Sequence, residues 1–262
     1  MKNARLTFVK TKINLCFKKI RIFVKDQNEK LLEAKKIVNN SKLRTAVPKG
    51  IVTLGLLVAS SIGLSAQFDV GMDLYSRYLW RGLELSSSPS FQPWLSYTTT
   101  LDSKNGVELE VGAWGAYSFN GSSSGDGSEA DIYATISYDK FSFTVTDYFF
   151  PTDLAEQDYF QDGHSFELMA SYEGPISLSA AYDLSNEAFY AEAGVTIAEG
   201  ASLFVGVGNE YYTTDTEFNV MNFGLNYSKE IKISDSFSLP VTGVILWNPE
   251  ADKIHMAVGI SF

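Results

Sequence analysis

The last ten residues, 253–262, carry apolar side chains at every second position: Ile254, Met256, Val258, Ile260 and Phe262. Small or polar residues stand between them: His255, Ala257, Gly259 and Ser261. Successive side chains of a strand point to opposite faces, so this segment predicts a strand with one apolar and one polar face. The same alternation recurs from residue 67 onward. It predicts twelve strands, at 68–80, 89–101, 106–119, 130–139, 140–150, 165–173, 176–184, 188–198, 201–212, 217–228, 237–247 and 253–262. In the first, Phe68, Val70, Met72 and Leu74 oppose Asp69, Gly71, Asp73 and Tyr75. No stretch of this body has a long helical period.

The spacers add topology. Connections at 102–105, 139–140, 173–175 and 199–200 are short and alternate with longer ones at 83–88, 120–128 and 152–164. Two connections fit less well, 185–187 being short for its side and 229–236 long. Short turns at one end and longer loops at the other suit an outer-membrane barrel with both chain ends periplasmic. Aromatics on the apolar face group by end: Tyr97, Tyr138, Phe141, Tyr172, Tyr227 and Phe262 at the short-turn end, and Trp80, Phe119, Phe149, Tyr182, Tyr211, Phe218 and Trp247 at the other. Two aromatic girdles around an aliphatic band are expected of a lipid-facing wall, whereas a soluble sandwich puts aromatics mid-strand in its core. The fold class expected is therefore all-β: a transmembrane antiparallel up-and-down barrel of about 12 strands.

Charge divides the chain. Residues 1–66 hold 14 Lys/Arg and 3 Asp/Glu, and residues 67–262 hold 7 and 28. The first segment is thus +11 and the second −21, together the −10 of the whole chain. So acidic a body repels nucleic acid. Lys49 precedes the apolar run 51–64, followed by Ser65-Ala66 and then Gln67. A basic flank, a core too short to span a bilayer and a small-residue cleavage site predict a secretory signal peptide at 49–66. Residues 1–48 form a Lys-rich extension, read as a start-site artefact or an extended targeting segment. The folded barrel is assigned to 67–262. Cys16 is the single cysteine, so the body has no disulfide and no thiolate metal site.

Strand parity places Asp69, Asp73, Glu108, Glu110, Asp131, Glu167, Asp183, Glu192 and Glu210 on the interior face, with Arg77 and Arg81. A lumen lined in this way concentrates cations and disfavours anions, which predicts a narrow, cation-preferring diffusion channel. The competing reading is that these carboxylates and the two arginines form an ion-pair network that fills the barrel. Arg81 either clamps an anion at the outer mouth or pairs with interior carboxylates, and Gly82 lets the chain turn.

His164-Ser165 suggests a lipid-hydrolase dyad, but adjacent strand residues face opposite ways, so no catalytic residue is assigned. His255 faces inward and hydrogen-bonds there. Two histidines on separate strands make no metal set, and no cofactor is expected. Asp153, Glu156, Asp158 and Asp162 do not match a calcium-loop spacing and read as a solvated acidic loop, while 120–127 reads as a flexible Gly/Ser tract.

Ser76-Arg-Tyr-Leu-Trp-Arg-Gly82, followed by Ser87-Ser-Pro89 and Gln92-Pro-Trp-Leu95, resembles the opening of the TorF porin family. Ser76, Tyr78, Leu79, Trp80, Arg81 and Gly82 fit the family pattern, while Arg77 stands where an acidic residue is common. The final Gly259-Ile-Ser-Phe262 is also similar. The resemblance implies an outer-membrane barrel of porin type and brings no catalytic residues. The partners expected are the outer-membrane lipids and, through the strand ending in Phe262, the outer-membrane insertion machinery.

Overall fold

The computed structural model of the chain describes residues 66–119, 127–151 and 163–262. The basic extension, nearly all of the signal segment, most of the Gly/Ser tract and the acidic loop fall outside them. Among the described residues there are fourteen strands: β1 (Ala66–Tyr75), β2 (Tyr78–Trp80), β3 (Leu83–Ser86), β4 (Ser90–Asp102), β5 (Val107–Ser118), β6 (Glu129–Tyr138), β7 (Phe141–Phe149), β8 (His164–Tyr172), β9 (Ile176–Asp183), β10 (Ala188–Ala198), β11 (Ala201–Glu210), β12 (Thr216–Lys232), β13 (Ser238–Asn248) and β14 (Lys253–Ser261). Twelve of them close into one antiparallel barrel in the order β1-β14-β13-β12-β11-β10-β9-β8-β7-β6-β5-β4, and β2 with β3 forms a separate hairpin.

Closure is made by the two ends of the chain. Asp73, Leu74 and Tyr75 stand opposite Ser261, Ile260 and Gly259. Beyond them Met72 and Phe262 exchange both backbone hydrogen bonds, at 3.1 and 2.9 Å. The terminal aromatic thus belongs to the seam. Residues 66–71 run past it and pair only with β4.

Outward side chains are apolar and exposed around the wall, among them Val70, Ile136, Phe143, Leu178, Phe223 and Ile245. Tyr138, Phe141, Tyr227 and Phe262 are exposed at the short-turn end, with Phe119, Tyr182, Phe218 and Trp247 at the other. Trp80 departs from the sequence expectation. It lies among Tyr148, Tyr211 and Tyr212 rather than on the outer girdle.

The cause is the length of the first strand. Sequence alternation carried it to residue 80, but β1 leaves the wall after Tyr75. Ser76 ends the seam with β14, donating its N–H to the Val258 carbonyl at 2.8 Å and accepting on its hydroxyl from the Val258 N–H at 3.0 Å. Residues 78–80 are extended as expected, yet their partner is β3.

A second irregularity sits on β12. Gly206 pairs with Asn222 and Val207 with Val220, so Met221 is an extra residue in its strand. Such a bulge breaks the inside-outside alternation. Met221 and Asn222 are consecutive, and both are fully buried.

Candidate functional site

Arg81 and Gly82 form the two-residue turn between β2 and β3, with φ of 49° and 84°. Positive φ at both central positions defines a type I′ hairpin turn, whose twist matches its strands. Gly82 adopts this conformation freely, while Arg81 is strained in it. The hairpin between β1 and β4 therefore points its arginine at the tip.

That tip reaches β8. Arg81 donates to both Glu167 oxygens, Nη1 to Oε2 at 2.5 Å and Nη2 to Oε1 at 2.7 Å. It also donates to the Tyr212 hydroxyl at 2.5 Å. Its guanidinium carbon lies 4.7 Å from the Trp80 ring centre and 4.8 Å from that of Tyr190. Burial, the largest single influence, would lower the Arg81 pKa, but the Glu167 hydrogen bond together with the charges of Tyr212, Glu167 and Tyr148 outweighs it and holds the group above its ordinary value. Arg81 is thus a permanent cation in a carboxylate and aromatic cage.

Other contacts fix the hairpin along its length. Tyr78 donates its hydroxyl to Glu129 on β6. Burial, and then the Glu129 charge, keep that phenol well above its ordinary pKa, so it remains a donor. Arg77 pairs with Glu84 across the hairpin, and Glu84 lies 3.7 Å from His255 Nδ1 on β14. Asn248 on β13 donates to the Gly82 carbonyl at 2.9 Å. Beneath Trp80 and Leu83 is an apolar floor of Ala188, Tyr190, Tyr212 and Met221.

A cavity of about 550 Å³ lies beside the hairpin. Trp114, Glu129, Asp131, Tyr133 and Tyr148 line it from β5–β7, and Glu192 and Asn222 from β10 and β12. Glu192 accepts from Tyr190 at 2.5 Å and from Asn222 at 3.0 Å. Toward the short turns the inward positions are mostly small hydroxyls: Thr135, Ser137, Ser142, Ser171, Ser177, Ser179 and Ser202. Bulk is concentrated around the hairpin.

The sequence-derived interior residues separate into groups. Arg77, Arg81, Asp131 and Glu192 line the cavity, and Glu167 binds the hairpin tip. Asp69, Asp73, Glu108 and Glu110 lie on β1 and β5 outside the cavity lining, with Glu110 accepting from Thr98 at 3.3 Å. Asp183 anchors the 184–187 turn, accepting from the Ser185 and Asn186 N–H groups at 2.8 and 3.0 Å and from Ser165 at 2.7 Å. Glu210 sits where the β11–β12 ladder shifts, at φ 53°, away from the cavity. The placement of Arg77 on the first barrel strand is corrected: the wall ends at Tyr75, and Arg77 leads into the inserted hairpin whose turn carries Arg81.

Glu129 falls one residue before the predicted fourth strand, although it lies on the same face as Asp131. Glu84, Tyr212 and Asn248 carry no local pattern that marks them. His164 and Ser165 do face opposite ways: His164 Nδ1 lies 2.8 Å from Asp147 and its ring packs near Phe149 and Phe166, while Ser165 is bonded to Asp183.

No family model matches this chain, so the TorF name is not confirmed and rests on the motif alone. No curated protein matches it either. Solved structures similar to it include engineered variants of the porin of Rhodopseudomonas blastica. One triple mutant superposes with a TM-score of 0.37 at 13% identity, covering 75% of this chain and 99% of that one. A variant of the same porin carrying A116K gives 0.37 at 14%, with the same coverage. So loose a superposition assigns no function.

Proposed function

We propose that the chain is an outer-membrane barrel of porin type. It admits small cationic or neutral solutes through a lumen narrowed at its long-loop end by the hairpin of residues 76–88. The outward apolar wall supports membrane placement, since soluble monomers rarely expose large contiguous apolar surfaces. The long-loop end then faces outward, the short turns and both chain ends face the periplasm, and residues 49–66 serve as the export signal. The seam strand ending in Phe262 suits recognition by the insertion machinery. Diffusion requires no catalytic residue.

The observation that carries the solute preference is the pairing of charges. Both arginines of the barrel region are neutralised within the site, by Glu84 and Glu167. Glu108, Glu110 and Glu192 have no cationic partner among the described residues. A lumen of one sign raises the local concentration of the opposite ion. Planar-bilayer recording in a potassium chloride gradient tests this: the reversal potential should show potassium preferred over chloride, and chloride preference overturns it.

A second reading is a filled barrel that works through its outer surface. The contacts of the hairpin with β6, β8, β13 and β14 favour it. Liposomes carrying the protein and placed in an isotonic sugar solution swell if the lumen passes solute, and stay unchanged if it is filled.

A further inference from the structure

Asp131 has one oxygen, Oδ1, with no hydrogen-bond partner, although the residue is only 6% exposed. A buried carboxyl oxygen without a donor is unfavourable, and such atoms are uncommon in folded proteins. Its surroundings are specific. Trp114 on β5 and Tyr148 on β7 stand directly opposite Asp131 on its two sides. Side chains so paired lie within contact of one another on the same face of the sheet. Tyr133 follows on the same face of β6, and all four line the cavity. Glu129, on the other side of Asp131, is hydrogen-bonded to it, so the two carboxyl groups share one proton and carry a single negative charge between them, and Tyr78 donates to Glu129.

We propose that Asp131, with the rings of Trp114, Tyr148 and Tyr133, forms a docking site for a small organic ammonium solute. The inference rests on the cation-preferring reading above and names the kind of cation. An ammonium head satisfies Oδ1 with an N–H donor and lies against aromatic faces, whose quadrupoles attract a cation most strongly when water is excluded. A metal ion fits poorly, because the described residues contain no group of three or more His, Cys, Asp or Glu side chains suited to ligation. Arg81, which lines the same cavity, is engaged by Glu167. The cavity volume of about 550 Å³ accommodates an amine of several carbons beside the hairpin.

The test is isothermal titration of the full chain in detergent micelles with butylammonium chloride, sodium chloride and 1-butanol. Saturable binding of butylammonium, with sodium and butanol at least about tenfold weaker, is the expected result. Asp131→Asn should weaken butylammonium binding by about tenfold or more, and Trp114→Leu by about five- to tenfold. Equal binding of sodium, or unchanged binding in a folded Asp131→Asn protein, overturns the proposal. If Asp131→Asn does not refold, the three-solute comparison on the unaltered chain and the Trp114→Leu titration decide it. Bilayer current is recorded on the same preparation. Binding without current removes the channel and leaves the site, whereas current without binding removes the site and leaves the channel.

Discussion

Arg81 and Glu167 meet across the barrel in a two-pronged ion pair, 2.5 and 2.7 Å long, between residues 86 apart in sequence. The hairpin leaves the wall at β1, and β8 lies five strands away by one route round the barrel and seven by the other. The contact therefore spans the lumen rather than bracing neighbouring strands. It ties the tip of an element outside the barrel ladder to the far wall.

Breaking both partners together should cost less than the two single changes added. Arg81→Gln leaves Glu167 buried at 1% exposure without its cation, a situation worth about 3–5 kcal/mol. Glu167→Gln strands Arg81 in the same way. The double variant removes both charges and should lose less than the sum of the single variants. Urea unfolding in detergent measures the three differences. Single-channel conductance should rise in each single variant as the hairpin loosens.

Gly82→Ala should unseat the hairpin without altering any charge. Gly82 has φ 84°, and a Cβ there would lie 2.6 Å from the Met221 carbonyl oxygen. A left-handed L residue costs about 1–2 kcal/mol, before the clash with a backbone atom that has little room to move. The expected result is higher conductance with unchanged potassium-over-chloride preference. Trypsin cleavage after Arg81, blocked in the seated hairpin, should appear in the variant.

The wall was legible in the sequence because alternation, turn spacing and aromatic position all report on the same property, which side of a strand meets which surroundings. Eleven of the twelve predicted segments correspond to barrel strands with small boundary differences. Residues 78–80 show where that information ends. Period two says that Tyr78, Leu79 and Trp80 are extended, and they are, but it does not say whether their ladder partner is the wall or a hairpin crossing the lumen. Arg81-Gly82 was the available clue, since a glycine at the second position of a two-residue turn favours a I′ hairpin. Glu84, Tyr212 and Asn248 meet the hairpin only through closure of the barrel, so nothing local marks them.

Glu108→Gln combined with Glu110→Gln should reduce the proposed cation preference without opening the lumen. Both lie on β5 outside the hairpin cavity, and neither has a cationic partner among the described residues. Partly exposed carboxylates in a wet lumen act through screened fields, so the potassium-to-chloride permeability ratio should fall by about two- to fivefold, most clearly at low salt. Conductance at 1 M salt, where screening is strong, should change little.

Deletion of Met221 tests whether the bulge exists for the hairpin. Around it, Phe218, Val220 and Phe223 are exposed and Asn222 and Gly224 are buried, so removing Met221 leaves an unbroken alternation from 218 to 224. The ladder then has no extra residue between the Gly206–Asn222 and Val207–Val220 pairs. A regular ladder should keep the barrel closed, so the heat-dependent gel mobility shift of a folded barrel should persist. The floor beneath Trp80 and Leu83, however, loses a residue that is 0% exposed, and a large-to-small change at such a site costs about 2–5 kcal/mol. That loss falls on the hairpin, the element packed on Met221. Conductance should therefore rise toward that of Gly82→Ala while the wall stays intact. A deletion that abolishes the gel shift would show instead that the bulge is required by the barrel itself.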